Sequence, residues 1–234
     1  MTKIYVIGIG YKPFDKRERK IVCSSQFILS SSRLFGVFKK YGEYKKVKDR
    51  IKVIDSVDET IQYIKEKYQE YVKGTPHVKL KTIVILASGD PLFFGIGRRV
   101  ISEFGKEMVE ILPDLSSIQL AFSRIKEPWD NAFLMSLHGG PDPKKKRRLE
   151  YDIKDIPALL KRHRKIAILT DKENNPAEVA KILTSAAITR TLHPIIYVCE
   201  RLGYSDEKVT KGEPKDITRM SFSTPNIVII SVVK

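Results

Sequence analysis

The sequence predicts an α/β protein in two halves, each with its own sheet. Short apolar runs alternate with amphipathic runs along the chain, as strands joined by helices over a mostly parallel sheet do. One run, "TIVILAS" at residues 82–88, is the fully apolar kind buried on both faces of such a sheet. After "PDLSS" the strand–helix pattern starts again, which places a boundary near Pro113 and domains at residues 1–113 and 114–234.

The elements follow in order. "KIYVIGI" reads as the first strand, "QFILSS" as the second after a short helix, and "IKVID" as the third. Residues 56–74 read as a helix. Val57, Ile61, Ile64, Tyr68 and Tyr71 share one face, Ser56 with Glu59 forms a capping box, and Gly74 is a natural stop. "TIVILAS" is next, then a helix over 95–104 and the strand "MVEIL". In the second half, residues 116–125 read as a helix with Ser116 and Gln119 able to form another box. "AFLMSLHG", "IPALLKRH" and "KIAILTD" read as strand, helix and strand. "NPAEVAKILTSAA" reads as a helix with Pro176 at its first position, where the missing N–H has no consequence. "PIIYVCERL", "EKVTKG" and "NIVIISVVK" close the chain as three strands, an antiparallel finish.

The bulk numbers exclude several classes. With 234 residues, 42% hydrophobic and 30% charged, the chain is globular in composition. No apolar run approaches the ~20 residues of a membrane span, and the N-terminus reads as a strand rather than a leader. Cys23 and Cys199 lack metal spacing and read as buried free thiols of a reducing, cytoplasmic compartment. The net charge of +15 draws anions: nucleic acid, an acidic membrane or a small polyanion. A solvated lysine surface accounts for it equally well. The cations gather at residues 39–52 and 144–148.

In open α/β sheets ligands bind beyond the carboxyl ends of the strands. Those ends here are "GIGYKP", "SGDPLFFG", "PDLSS", "SLHGG" and "TDKENNP". Gly8-Ile9-Gly10 lacks the third glycine of a dinucleotide loop, where Pro13 stands, and no triphosphate-binding loop is present. Of His77, His138, His163 and His193, none is paired at metal-ligand spacing. His163 reads as exposed, and His138 as either a core or a ligand-contacting residue. No nucleophile elbow is present, and neither cysteine has a base beside it.

Taken together, these strand ends resemble the tetrapyrrole methylases, S-adenosylmethionine-dependent enzymes of siroheme and cobalamin synthesis, with diphthine synthase as a relative. "VIGIG" and "ASGDPLFFGIG" look like the family's first and Gly-Asp-Pro loops. "PDLSSIQLAFSRI", "PWDNAFLMSLHGG" and "ILTDKENNPAEVAKIL" are similar to the branch that methylates carbon 5 of precorrin-7 or its cobalt form. Two departures stand out: Tyr11, Lys12 and Pro13 replace the family's Pro-Gly in the first loop, and "GGP" follows His138.

The resemblance implies two α/β domains with S-adenosylmethionine in the cleft between them and S-adenosylhomocysteine as product. It implies an anionic corrinoid substrate, a homodimer, and a separate protein that methylates carbon 15 and decarboxylates the acetate side chain. No metal, membrane or specific nucleic acid is implied. The cofactor residues it implies are Gly10, Gly89, Asp90, Leu92, Phe93, Ser116, Ser117, Leu137, His138, Thr170, Pro225 and Asn226. Physical chemistry suits several of them. Gly89 lets the backbone come close to a ligand, Asp90 either accepts from a ribose hydroxyl or ammonium or caps a helix, and Pro91 fixes the turn. Leu92 and Phe93 offer backbone groups and an apolar wall, or simply pack. Ser116 and Ser117 open a helix whose free N–H groups suit a carboxylate, or only cap it. Arg124 and the 144–148 run are the candidate holders of a polyanionic substrate, and no catalytic base is named. The alternatives are another acceptor on the same fold (a different precorrin carbon, uroporphyrinogen, or diphthine synthesis), a basic nucleic-acid-binding protein, and a regulatory module that binds the cofactor without catalysis.

Overall fold

The computed structural model describes residues 3–73, 82–138, 150–186 and 189–232. The chain divides into two units, Met1–Ser116 and Ser117–Lys234.

The first unit runs β1 (Lys3–Ile9), α1 (Lys16–Ser24), β2 (Phe27–Ser30), α2 (Ser32–Phe38), α3 (Tyr44–Val47), β3 (Ile51–Val53), α4 (Val57–Lys73), β4 (Thr82–Ser88), α5 (Gly97–Phe104) and β5 (Val109–Leu112). Its five strands are parallel in the order β3-β2-β4-β1-β5. Strand side chains alternate between faces, and the core divides accordingly. Ile4, Val6, Ile83, Ile85 and Ala87 pack with Ile61 and Ile64 of α4 and Val100 of α5. Ile7, Ile9, Val84 and Leu86 pack on the other face with Val22, Leu34, Phe38 and Val47 of α1 to α3. The central strands β1 and β4 are therefore apolar on both sides, as "TIVILAS" predicts.

Local signals start the helices. Asp15 and Glu18 form a reciprocal capping box at α1, and the Ser31 hydroxyl accepts from the N–H of Leu34 at α2. At α4 the Ser56 hydroxyl accepts from the N–H of Glu59 at 3.3 Å. The predicted apolar face of α4 holds only in part. Ile61 and Ile64 are buried, but Val57, the first residue of the helix, and Tyr68 within it lie 43% and 39% exposed. Tyr71's side chain and Gly74 lie outside the described residues, as does His77.

The second unit runs α6 (Ser117–Ile125), β6 (Phe133–Ser136), α7 (Ile156–His163), β7 (Lys165–Leu169), α8 (Pro176–Ser185), α9 (Thr189–Leu192), β8 (Pro194–Glu200), β9 (Lys208–Gly212), α10 (Pro214–Ile217) and β10 (Asn226–Val232). The sheet order is β6-β7-β10-β8-β9. Only β6 and β7 pair in parallel, and β10 runs antiparallel between β7 and β8. Ile166, Ile168, Ile196, Val198, Val228 and Ile230 pack under α7, α8 and α10. Asn175 caps α8 through the N–H groups of Ala177 and Glu178, with Pro176 at its first turn.

Two further expectations change. Both cysteines are free, but Cys23 is only half-buried while Cys199 is fully buried. His163 is not simply exposed: its ring stacks on Phe133 with centroids 4.5 Å apart. Among the described residues, no helix is long and apolar enough to cross a membrane, and no three His, Cys, Asp or Glu gather to hold a metal.

Candidate functional site

In the first unit, the chain leaves β1 toward the face of α1 to α3 and leaves β4 toward the face of α5. Neighbouring strands whose connections depart to opposite faces open a crevice at their carboxyl ends, the usual ligand position in a parallel sheet. The sequence supplies glycine on both sides of it. A Cβ at Gly8 would overlap the Gly89 carbonyl oxygen, and a Cβ at Gly89 would lie 2.6 Å from the Leu115 carbonyl oxygen. Gly89 also has φ +56°, which L side chains rarely adopt. The glycines let the loops after β1, β4 and β5 come together.

Hydrogen bonds hold that junction. The Gly89 N–H donates to the Ile9 carbonyl at 3.1 Å, and the Asp114 N–H donates to the Gly89 carbonyl at 3.2 Å. Asp114 is buried. Its carboxylate accepts from the N–H groups of Tyr11 (2.8 Å), Lys12 (3.3 Å) and Leu115 (2.7 Å). The Tyr41 hydroxyl accepts from the Gly10 N–H at 3.0 Å and donates to the Lys12 carbonyl at 2.9 Å. Burial raises the Tyr41 pKa, with the charges of Asp114, Glu18 and Glu43 adding to it against the Gly10 hydrogen bond. The phenol therefore stays a donor at neutral pH.

The predicted residues of this unit sit around the junction. Gly10 has φ +134°, and nothing lies within 4 Å of a Cβ built on it, so the space beside it is open. The Asp90 carboxylate accepts the Leu92 N–H through Oδ1 at 2.8 Å, a local turn bond that leaves Oδ2 available to a second donor. Leu92 is exposed, and the Phe93 ring lies edge-on to Phe94 at 4.9 Å. Ser116 is buried directly after the Asp114 loop, and Ser117 is the first residue of α6 in the second unit.

In the second unit, Leu137 and Thr170 follow β6 and β7, and Asn226 begins the antiparallel β10, so all three lie at one end of that sheet. The Leu137 N–H donates to the Leu169 carbonyl at 2.8 Å. The Thr170 hydroxyl donates to Asn226, whose carbonyl lies at 2.9 Å and whose side-chain oxygen is also in contact. The Asn226 amide donates to the Ser223 carbonyl at 2.9 Å. Glu200, paired with Asn226 in the sheet, accepts the Ser223 N–H at 2.6 Å. The turn carrying exposed Pro225, which follows a cis peptide bond, is thus held at both ends of Ser223. His138 is exposed.

Arg124, the candidate holder of a polyanionic substrate, lies on α6. Its guanidinium is hydrogen-bonded to both carboxylate oxygens of Glu207, which also accepts the Gly203 N–H at 2.8 Å. The bond to Arg124 holds the Glu207 carboxyl below its usual range, against the opposing effect of burial. Through Glu207 this cation braces the turn between β8 and β9. The 144–148 run lies outside the described residues.

Asp114, Tyr41 and Glu200 are not singled out by the sequence. Asp114 stands in the strand end "PDLSS", and its single carboxylate there was the available signal. Tyr41 lies within a lysine-rich stretch and carries none.

Known proteins resemble the chain over most of its length. Residues 27–218 match the family Tetrapyrrole (Corrin/Porphyrin) Methylases. A Methanocaldococcus jannaschii protein named probable cobalt-precorrin-7 C(5)-methyltransferase is 30% identical over 226 residues, 94% of this chain and 93% of that one. The crystal structure of the cobalamin biosynthesis precorrin-6Y methylase of Archaeoglobus fulgidus superposes with a TM-score of 0.65 at 19% identity, over 100% of this chain and 98% of that one. Thermus thermophilus uroporphyrin-III C-methyl transferase, solved with S-adenosylhomocysteine, gives a TM-score of 0.65 at 14% identity, over 98% and 92%. At these identities the two structures share the fold.

Proposed function

Because the chain belongs to the tetrapyrrole (corrin/porphyrin) methylases, we infer that it methylates carbon 5 of cobalt-precorrin-7 or precorrin-7, with S-adenosylmethionine as donor. The observation that carries this reading is the likeness, over 94% of the chain, to the Methanocaldococcus protein named for that reaction. The residues present fit the donor: open space beside Gly10 and a spare carboxylate oxygen on Asp90 suit a ligand with ammonium, hydroxyl and amine donors.

When bound, S-adenosylmethionine supplies a methyl on a sulfonium, which a nucleophilic ring carbon takes as the C–S bonding pair leaves to sulfur. The chain's own residues then position, shield and hold. In this reading Gly10, Gly89, Leu92 and Phe93 contact the donor through backbone carbonyls, their N–H groups being donated to Tyr41, Ile9 and Asp90. Asp90 accepts from its hydroxyl or ammonium donors, and the N–H groups at Ser116 and Ser117 receive its carboxylate. Leu137, His138, Thr170, Pro225 and Asn226 complete the set. Reacting atoms held at about 3–3.5 Å need no covalent nucleophile from the protein. Lysines and arginines draw in the substrate's carboxylates. In this reading the carbon-15 methylation and decarboxylation belong to a separate module, and the enzyme works in the cytoplasm as a homodimer.

Calorimetry with S-adenosylhomocysteine tests the donor, and labelled S-adenosylmethionine offered with each candidate acceptor tests the reaction. Saturable binding and label in the (cobalt-)precorrin-7 product are expected. Label passing only to uroporphyrinogen, another precorrin or a diphthine precursor would move the chain to that acceptor.

A further inference from the structure

The first loop carries three successive backbone N–H groups, at Gly10, Tyr11 and Lys12. Such a run makes a concavity suited to an anion. Here the chain fills it from within. Asp114 takes the N–H groups of Tyr11 and Lys12 on one carboxylate oxygen and that of Leu115 on the other. Tyr41 closes the remaining side, accepting from Gly10 and donating to the Lys12 carbonyl. Its ring is held in turn by Phe14 and Phe38, at centroid distances of 4.7 and 5.8 Å.

Asp114 also reaches the second loop through its own backbone, whose N–H donates to Gly89. One buried residue, 5% exposed, therefore bonds to the loops after β1, β4 and β5 at once. It is where the departure of the first loop from the family pattern is accommodated: Tyr11 and Lys12 bring two N–H groups, and the carboxylate meets both.

We propose that Asp114, braced by Tyr41, is the positioning residue of the methyl-donor loops and closes the first loop to phosphate-bearing ligands. This rests on the methyl-donor reading above. An internal carboxylate occupies the place a phosphate would need and repels it. The loop is left shaped for a donor that carries no phosphate, with Gly10 and Gly89 fixed as its backbone contacts.

The test is Asp114→Ala, which keeps the Cβ and removes the carboxylate. Calorimetry of the folded variant reads S-adenosylhomocysteine affinity, alone, with formate, and with chloride at equal ionic strength. The expected result is affinity weaker by about tenfold or more, recovered by formate and not by chloride, with inorganic phosphate now binding where the unaltered chain binds none. A merely structural role would lower the melting temperature and leave the affinity of folded molecules unchanged. Unchanged affinity, or no recovery by formate, overturns the proposal alone, whereas no S-adenosylhomocysteine binding by the unaltered chain overturns the donor reading and this proposal with it. Should Asp114→Ala not fold, Tyr41→Phe keeps the ring packing and removes only the hydroxyl. It is expected to weaken S-adenosylhomocysteine binding several-fold, and unchanged affinity there counts against the proposal.

Discussion

Gly89→Ala probes the junction most directly. Two effects add. The residue sits at φ +56°, and a left-handed conformation costs a non-glycine residue about 1–2 kcal/mol. The new Cβ would also lie 2.6 Å from the Leu115 carbonyl oxygen. That neighbour is backbone, tied through Leu115 N–H to Asp114, so it cannot swing aside as a side-chain end can. Overpacking of this kind costs about 1–3 kcal/mol. A total of about 3 kcal/mol corresponds to a melting temperature lower by roughly 6–12 °C for a chain of this size. Gly36→Ala is the matched control. Gly36 lies inside α2, and nothing stands within 4 Å of its added Cβ. There alanine should stabilise by about 0.5–1 kcal/mol. Urea titrations of both variants beside the unaltered chain measure the two signs. A Gly89→Ala loss below about 1 kcal/mol would refute the argument that these loops are locked by close backbone approach.

The Arg124–Glu207 pair is partly exposed, so solvent screening limits it, and Arg124→Ala should cost only about 0.2–1 kcal/mol. Arg124→Glu should cost more, and adding Glu207→Arg should recover part of it. A swap no better than the single reversal would remove the pair from the account. Because the folded Glu207 carboxyl lies below its usual range, mainly through Arg124, its stabilisation is present above about pH 4.3 and is lost as pH falls through the folded value. Stability measured from pH 6 to pH 3 should therefore fall less steeply in Arg124→Ala than in the unaltered chain, and equal slopes would contradict the assignment. For the thiols, burial pushes Cys199 up to about 12, with the charges of Glu207 and Glu200 adding. Iodoacetamide at pH 8 should label the half-buried Cys23 in the native chain and Cys199 only after unfolding, as read by peptide mass. Equal native labelling would show that Cys199 is not enclosed.

Periodicity made much of the architecture legible. Strands such as Thr82–Ser88 and Asn226–Val232 are apolar enough to demand cover on both faces, and the α/β alternation supplies it. The pattern does not show helices α2 and α3, because α2 is seven residues with a glycine inside it and α3 a single turn carrying two lysines, and their short apolar stripe, Leu34, Phe38 and Val47, becomes visible only against the sheet. Val57 and Tyr68 have the right spacing to be buried, but spacing does not show where the covered surface ends. The site divides in the same way. Gly89 and Asp90 carry a local signature of a tight turn after a strand. Asp114 and Tyr41 act across 103 and 31 residues of sequence, and no local pattern encodes such a bond. Arg124 was legible as a cation, but its partner Glu207, 83 residues on, was not.

The place of β10 governs how the second unit is made on the ribosome. Unit one has all five strands once residue 112 is synthesised. In unit two, β7 and β8 have no neighbour between them until β10, residues 226–232, has emerged. At about 5–20 residues per second, the chain from the end of β7 to the end of β10 takes roughly 3–13 s. Through that interval Ile166, Ala167 and Ile168, fully buried in the finished fold, sit on an open strand edge that other nascent chains can pair with. The first unit waits in the same way, since β4 enters between β2 and β1, so each sheet carries an open central strand edge while it is being made.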